Sequence, residues 1–149
     1  PGTGKTTTIN FFRVPDGSNM VDFVDLPGYG YAKVGGHDRK RWSSLIEGYF
    51  DQDRWFALTV LLIEIRHDVS DLDKQMVGYL VQREIPFIIV FTKSDKLSKG
   101  AIPKQLKLIR ETLEAPKDIT MIPFSSQTKA GREEVWELIE HLLQAMSLS

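Results

Sequence analysis

The sequence contains no cysteine among its 149 residues. Neither disulfide bonds nor metal sites with thiolate ligands can therefore form, and such a composition is typical of a reducing compartment. No apolar run approaches the length of about 20 residues that a membrane-spanning helix needs, and no secretory signal pattern opens the chain. We therefore expect a cytoplasmic protein without a membrane partner.

The chain also lacks an excess of charge of either sign. Its formal net charge is −1 at pH 7, which argues against the broadly basic surface of a general nucleic-acid binder and leaves open only a local basic patch. We expect no binding to DNA. The three histidines, His37, His67 and His141, are widely spaced and show no metal-ligand pattern, so a zinc site is not expected.

What the sequence does contain is an alternation of apolar strand patterns with amphipathic helix patterns. Strands are predicted at 9–14, 20–26, 57–65, 87–91 and 119–124, and helices around 42–50, 72–80, 103–113 and 132–146. A turn at 15–18 predicts a hairpin of the first two strands. The run 57–65 predicts a strand buried on both faces. The alternation predicts one α/β domain with a doubly wound, three-layer, mainly parallel sheet.

The stretch VDFVDLPGYGYAKV at residues 21–34 combines a buried-strand pattern with a sharp break. The apolar run ends in Asp25, and Pro27 and Gly28 follow. α/β folds bind ligands at the carboxyl edge of the sheet, where this strand would deliver its carboxylate. Asp25 could there hold a magnesium-bound water, while the N–H of Gly28 approaches a terminal phosphate. Alternatively, Asp25 only caps a turn.

The tetrapeptide Thr-Lys-Ser-Asp at residues 92–95 directly follows a predicted buried strand. Its carboxylate could accept hydrogen bonds from N1–H and the 2-amino group of guanine, a donor pair that adenine lacks, with the Lys93 stem along the base plane. A solvated polar loop is the alternative. Ser125 and Ser126 follow the next predicted strand, and backbone N–H groups near Ser126 could read the guanine oxygen. Because parallel strands end at one edge, we expect these loops to meet Asp25 there.

The first seven residues, PGTGKTT, look like the second half of a phosphate-binding P-loop. A P-loop opens a helix, because the phosphates rest on the N-terminus of that helix. Here the following residues are β-branched or aromatic, and the turn at 15–18 leaves no room for a helix of normal length. We therefore interpret the segment as a loop before an edge strand, with a threonine placed to coordinate Mg²⁺. An ATPase with a clipped P-loop at residues 1–7 is the alternative.

Two longer motifs make a family resemblance specific, KTTTINFF at 5–12 and VDLPGYGYAKV at 24–34. Shorter matches follow at 66–67 (RH), 92–97 (TKSDKL) and 124–126 (FSS). On these residues the chain resembles the EngB (YihA/YsxC) family of bacterial GTPases, which assist assembly of the large ribosomal subunit. The resemblance runs along nearly the whole chain and implies a P-loop GTPase fold.

The resemblance implies a switch protein that binds GTP and GDP with Mg²⁺ and hydrolyses GTP. It further implies a role in bacterial growth and division, with the large ribosomal subunit as partner and a monomeric state. Thr6 would be the magnesium ligand. The nucleotide would be bound by four segments, comprising Gly4, Lys5, Thr6, Thr7 and Thr8; Asp25, Leu26, Pro27 and Gly28; Thr92, Lys93, Ser94 and Asp95; and Phe124, Ser125 and Ser126.

The chain departs from the family pattern at two positions, and a third position differs from GTPases outside the family. Thr3 stands where the family usually has Pro, and Glu64 stands where it usually has Asp. Tyr29 occupies the place where many GTPases carry a glutamine that orients the attacking water. No residue for positioning that water is therefore identified, and the catalytic residue is left unassigned.

In the family, a strand, a P-loop and a first helix precede the segment that opens this chain. We therefore expect an N-terminally incomplete G domain over residues 1–149. The missing strand would lie between the strands ending at Asp25 and Ile65, so both would expose unpaired edges and the isolated chain would bind GTP poorly or aggregate. A truncated partner-binding module that does not hydrolyse GTP is a further alternative.

A basic cluster follows the glycine-rich stretch. It comprises Lys33, Arg39, Lys40 and Arg41, with the aromatic residues Tyr29, Tyr31 and Trp42 interleaved. Such a surface could contact ribosomal RNA phosphates when GTP orders the loop. The alternative is the solvated start of an amphipathic helix.

Overall fold

The computed structural model describes the backbone of residues 10–16, 19–25, 36–51 and 58–147, and the side chains of residues 40–41, 43–51 and 58–144. The chain divides into two compact units, Pro1–Arg54 and Trp55–Ser149. Among the helices that the structure describes, none combines the length and the apolar character needed to cross a bilayer.

In the first unit, two strands form the predicted antiparallel hairpin. β1 spans Asn10–Asp16 and β2 spans Asn19–Asp25, and Pro15 pairs with Met20. β1 runs further than predicted, because Pro15 and Asp16 belong to the strand and not to the turn. A two-stranded ribbon tolerates Pro15, since each strand has one edge whose backbone needs no ladder partner. Residues 17–18 of the predicted turn lie outside the described residues.

The first unit also contains the predicted amphipathic helix. α1 spans Gly36–Phe50 and begins well before the predicted apolar face. Ile46, Tyr49 and Phe50 are buried, which confirms that face at the spacing of a helix. The rings of Tyr49 and Phe50 meet edge to face, with centroids 5.3 Å apart and planes at 75°.

The second unit is built on the predicted parallel sheet. β3 spans Thr59–Glu64, β4 spans Phe87–Thr92 and β5 spans Met121–Pro123, in the order β3-β4-β5. Ile89 of β4 lies opposite Leu61 of β3 and Met121 of β5. The weak pattern around Pro123 is reflected in the shortness of β5.

Three helices connect and follow these strands, as predicted. α2 spans Asp71–Gln82, α3 spans Ala101–Leu113 and α4 spans Arg132–Ser147. The side chain of Ser70 accepts a hydrogen bond from the N–H of Asp73 at 3.1 Å, and the Asp73 carboxylate accepts one from the N–H of Ser70 at 2.8 Å. This reciprocal cap fixes the start of α2.

Side chains on both faces of β4 are buried. An apolar cluster on one face, against which α4 packs, comprises Ile88, Val90, Ile122, Val135 and Leu138. Because side chains alternate along a strand, Ile89 and Phe91 point to the opposite face, and both are fully buried. α2 and α3 contact each other, and the general right-handedness of such crossovers predicts that both lie on that opposite face. The second unit is therefore a helix–sheet–helix sandwich centred on β4.

β3 departs from the prediction of burial on both faces. Leu61 and Ile63 are buried, but Val60 and Leu62 are 39% and 60% exposed. Within the described residues β3 pairs only with β4, and α4 packs over β4 and β5. The prediction is therefore wrong for Val60 and Leu62, because no described element covers the face that carries them.

Candidate functional site

The loop after β4 begins with a backbone conformation that is unusual for a residue with a side chain. Lys93 has φ 59° and ψ 38°, in the left-handed region. Its carbonyl accepts a hydrogen bond from the N–H of Lys96 at 3.0 Å, and the carbonyl of Ser94 accepts one from Leu97 at 3.2 Å. This turn follows directly on the strand and places Asp95 at the carboxyl edge of the sheet.

Backbone hydrogen bonds join the β4 loop to the loop after β5. The N–H of Phe124 donates to the carbonyl of Phe91 at 2.7 Å, and the N–H of Ser94 donates to the carbonyl of Phe124 at 3.0 Å. Phe124 thus continues the parallel pairing beyond the last residue of β5. The two loops lie side by side, as expected from their positions at the ends of adjacent strands.

Ser125 links the same two loops through its side chain. Its hydroxyl donates to Oδ1 of Asp95 at 2.8 Å and accepts from the backbone N–H groups of Gln127 at 3.2 Å and Thr128 at 3.1 Å. Because the hydroxyl oxygen already accepts from two N–H groups, the hydroxyl proton is available to donate to Asp95. Ser125 is fully buried, so water does not compete for these bonds.

This hydrogen bond also favours the ionised form of Asp95. Donation from Ser125 is the main cause that lowers the pKa of Asp95 below its ordinary value; a backbone hydrogen bond and the positive charges of Lys96 and Arg66 add to it, and desolvation opposes it. The side chain of Asp95 is 17% exposed. An ionised carboxylate that stays partly accessible can accept hydrogen bonds from a ligand with two N–H donors.

Gly131 fixes the far end of the β5 loop, a role that the sequence analysis missed. Its φ is 79°, and a Cβ at this position would clash with the carbonyl oxygen of Pro123. The N–H of Ser125 donates to the carbonyl of Ala130 at 3.0 Å, so the loop folds back on itself. A glycine at the end of a polar turn just before α4 was the available signal.

A second cluster lies where β3 ends, around Glu64. Its Oε1 accepts hydrogen bonds from Nε and Nη2 of Arg66 at 3.0 and 2.7 Å. Its Oε2 lies 3.3 Å from Nε2 of His67 and 3.5 Å from Nζ of Lys93. The Arg66 hydrogen bond is the main cause that holds the pKa of Glu64 below its ordinary value, with desolvation opposing and His67 and Lys93 adding to the lowering. Glu64 thereby connects the end of β3 to the β4 loop.

The end of β3 is itself anchored. The N–H of Ile65 donates to the carbonyl of Thr92 at 3.0 Å, and Nε2 of Gln105 in α3 donates to the carbonyl of Ile65 at 2.8 Å. The side chain of Ile65 is fully buried. These contacts fix the backbone next to Glu64 relative to the start of the β4 loop.

Comparison with known sequences identifies the family. The sequence model of the family described as 50S ribosome-binding GTPase matches residues 1–93. A probable GTP-binding protein EngB of Bacillus cytotoxicus is 45% identical over 136 residues, which are 91% of this chain and 67% of that relative. The chain belongs to the EngB family. A Bacillus cereus EngB protein is 42% identical over 139 residues, covering 93% of this chain and 69% of the relative.

Solved structures share the fold of this EngB-family chain. The crystal structure of a probable GTP-binding protein EngB matches with a TM-score of 0.70, covering 91% of this chain and 84% of that chain at 18% identity. Elongation factor SelB from Methanococcus maripaludis, in complex with the GTP analogue GPPNHP, matches with a TM-score of 0.68, covering 93% of this chain and 28% of SelB at 21% identity. The predicted α/β fold of P-loop GTPase type is thus confirmed.

The EngB resemblance assigns the β4 and β5 loops to one site, and the structure brings most of their residues together. Asp95 contacts Ser125 through side chains, and Ser94 contacts Phe124 through the backbone. Ser126 is exposed, and within the described part of the chain no hydrogen bond joins it to residues 92–95.

The remaining EngB-type site residues belong to the first unit or to undescribed segments. Asp25 is the last residue of β2. Residues 4–8, which include the predicted magnesium ligand Thr6, and residues 26–28 lie outside the described residues. The meeting of these segments with Asp95 stays a prediction.

Proposed function

We propose that the G domain that contains residues 1–149 binds GTP and GDP, hydrolyses GTP with Mg²⁺, and acts in the cytoplasm in assembly of the large ribosomal subunit. The hydrogen bond from buried Ser125 to Asp95 carries the nucleotide part of this proposal. It supports an ionised, partly exposed carboxylate at the carboxyl edge of a parallel sheet, where α/β folds bind their ligands.

Guanine selectivity follows from the acceptor-only chemistry of an ionised carboxylate. Asp95 can accept from both N1–H and the 2-amino group of guanine. Adenine offers no such donor pair, so it would leave a desolvated carboxylate unpaired, which is the more costly kind of mismatch. The Lys93 stem would lie along the base, and the backbone near Ser126 would read the guanine oxygen.

The phosphate end of the site is assigned to the segments on either side of the β1–β2 hairpin. We assign Thr6 to Mg²⁺, Asp25 to a magnesium-bound water and the N–H of Gly28 to the terminal phosphate. When bound, Mg²⁺ supplies charge neutralisation at the phosphates. The position of Asp25 at the end of β2 supports its delivery to a strand end. No residue is assigned to positioning the attacking water.

The large ribosomal subunit is supported as partner by the description of the matching family, 50S ribosome-binding GTPase. In α1, Lys40 and Arg41 are exposed next to Arg39. We assign this cluster, with Lys33, to ribosomal RNA phosphates. Reversing the charges of Arg39 and Lys40 is expected to weaken binding to large subunits, most strongly at low salt. Unchanged binding would assign the cluster to the solvated start of α1.

Competition against a fluorescent GDP, measured on the whole G domain that contains residues 1–149, tests the nucleotide proposal. GTP and GDP are expected to displace the probe, and ATP is expected to bind about 10⁴-fold more weakly. Asp95→Asn should lower GDP affinity at least about tenfold, because hydrogen bonds to a charged acceptor are lost. It should also raise the affinity for XDP, whose 2-carbonyl can accept from an amide. Asp118→Asn removes an exposed carboxylate before β5 and should leave GDP binding unchanged.

Two results would contradict the proposal in different directions. Displacement by ATP in preference to GDP would support an ATPase with a clipped P-loop. Failure of the whole G domain that contains these residues to bind any nucleotide would support a partner-binding module that does not hydrolyse GTP.

A further inference from the structure

We infer that Glu64 is a positioning residue of the guanine site and acts on the nucleotide through Lys93. The inference rests on the proposed function and adds a residue that lies outside the motif at 92–95. Glu64 is on a neighbouring strand, β3, and the inference requires no contact between its carboxylate and the nucleotide.

The two oxygens of the Glu64 carboxylate have different partners. Oε1 receives both hydrogen bonds from Arg66, which hold this oxygen in place. Oε2 is left to face Nζ of Lys93 at 3.5 Å and Nε2 of His67 at 3.3 Å. The Glu64 side chain is 14% exposed and that of Lys93 is 58% exposed. Glu64 is therefore the fixed partner, and Lys93 is the side chain that it restrains.

The sheet sets the spacing between these two residues. Glu64 lies opposite Thr92, the residue before Lys93, in the parallel register of β3 and β4. The hydrogen bonds of Ile65 with Thr92 and with Gln105 hold the backbone beyond that pair. The ammonium of Lys93 therefore faces the Glu64 carboxylate, whose position is set by the pairing of β3 with β4 and not by the β4 loop.

Restraining the ammonium has a consequence for the aliphatic stem of Lys93. With its charged end near Glu64, the stem is directed from the β4 loop towards the end of β3 and has fewer accessible rotamers, although more than half of the side chain is exposed. A stem ordered before the ligand arrives loses less side-chain entropy on binding. The ordered stem would pack against the face of the base, whereas Asp95 would form hydrogen bonds with the edge of the base. Glu64 should therefore raise the affinity for every purine nucleotide that fits the site by the same factor.

A variant of Glu64 that keeps the shape and removes the charge tests the inference. Glu64→Gln is expected to weaken binding of fluorescent GDP and of IDP by the same factor, about two- to fivefold, as for a partly exposed ion pair. IDP lacks the 2-amino group, so an equal factor shows that edge recognition is intact. Lys93→Met should also weaken binding, and adding Glu64→Gln to it should cause no further loss, because the carboxylate acts through the ammonium.

Two further variants separate positioning from general stability. Glu64→Asp keeps the charge and should retain most of the GDP affinity. Glu111→Gln makes the same change of charge on the exposed face of α3 and should leave GDP affinity unchanged. Losses that add in the double variant, or a Glu64→Gln loss that differs between GDP and IDP, would overturn the inference.

The proposed function and the inference can fail separately. If the unaltered chain prefers guanine and Asp95→Asn shifts it towards XDP, while Glu64→Gln binds GDP normally, the function stands and the inference is wrong. If the unaltered chain does not prefer guanine, the function is wrong and the inference falls with it.

Discussion

The hydroxyl oxygen of Ser125 lies 2.8 Å from Oδ1 of Asp95, a residue 30 positions earlier in the chain, and joins the loops that follow β4 and β5. The same hydroxyl accepts from two backbone N–H groups of its own loop. One buried oxygen therefore supports both the shape of the β5 loop and the charge of the carboxylate assigned to guanine.

Removing this hydroxyl should affect stability and binding together. Ser125→Ala leaves the N–H groups of Gln127 and Thr128 without their acceptor, which is expected to lower the free energy of unfolding by about 1–3 kcal/mol. The pKa of Asp95 should rise towards its ordinary value, and GDP affinity should fall. Urea unfolding and GDP titration measure the two effects.

Ser98→Ala is the matched control for that variant, because it removes the same group from an exposed serine outside the segments assigned to the nucleotide. It is expected to leave both stability and GDP affinity unchanged. Equal losses in the two variants would show that the contact between Ser125 and Asp95 is not the cause.

Stability should depend on pH through Asp95 and Glu64, whose pKa values are both lowered in the folded chain. A carboxylate with a lowered folded pKa stabilises the fold above its unfolded pKa of about 4, and this contribution is lost as the pH falls through the folded pKa. The unaltered chain should therefore have a higher Tm than Asp95→Asn near neutral pH. Thermal unfolding across a pH series should show that this difference shrinks below about pH 4. A constant difference would contradict the assignment.

The β5 loop should tolerate no side chain at Gly131. Gly131→Ala combines a left-handed backbone with a clash against the carbonyl of Pro123, and it is expected to lower the free energy of unfolding by about 1–3 kcal/mol. Gly78→Ala, inside α2, adds a Cβ with no atom within 4 Å, and it should stabilise the chain by about 0.5–1 kcal/mol. Urea unfolding of both variants measures the contrast, which would be absent if the Gly131 conformation were not required.

The two faces of β3 should respond differently to truncation. Leu61 is 5% exposed and Leu62 is 60% exposed. Leu61→Ala is expected to cost about 2–5 kcal/mol of unfolding free energy, and Leu62→Ala about 0.5 kcal/mol or less. Equal costs in urea unfolding would show that the face with Leu62 is covered.

Much of the fold could be predicted from sequence because its elements have strong local patterns. β4 is a short apolar run with polar residues directly after it, and Ser70 precedes α2 with Asp73 in position to complete the cap. Such patterns depend on neighbours within a few residues. The closeness of Asp95 and Ser125 was also foreseeable, since adjacent parallel strands end at one edge.

The remaining features depend on contacts between distant segments. The pairing of Glu64 with Lys93 is set by the register of β3 against β4, which neither strand encodes alone. The φ of Gly131 follows from how the β5 loop closes. The exposure of Leu62 could not be read from an apolar run, because such a run does not reveal which elements cover each side.

The left-handed backbone of Lys93 has a cost that the chain could avoid. Glycine adopts this torsion freely, whereas a lysine loses on the order of 1–2 kcal/mol. Lys93→Gly would relax the peptide and at the same time discard the ammonium that faces Glu64. Screening variants for heat tolerance alone would therefore favour glycine at position 93, whereas screening for ligand capture would favour lysine. At Lys93, the backbone torsion that would favour glycine and the ligand contact that requires lysine therefore select for different residues.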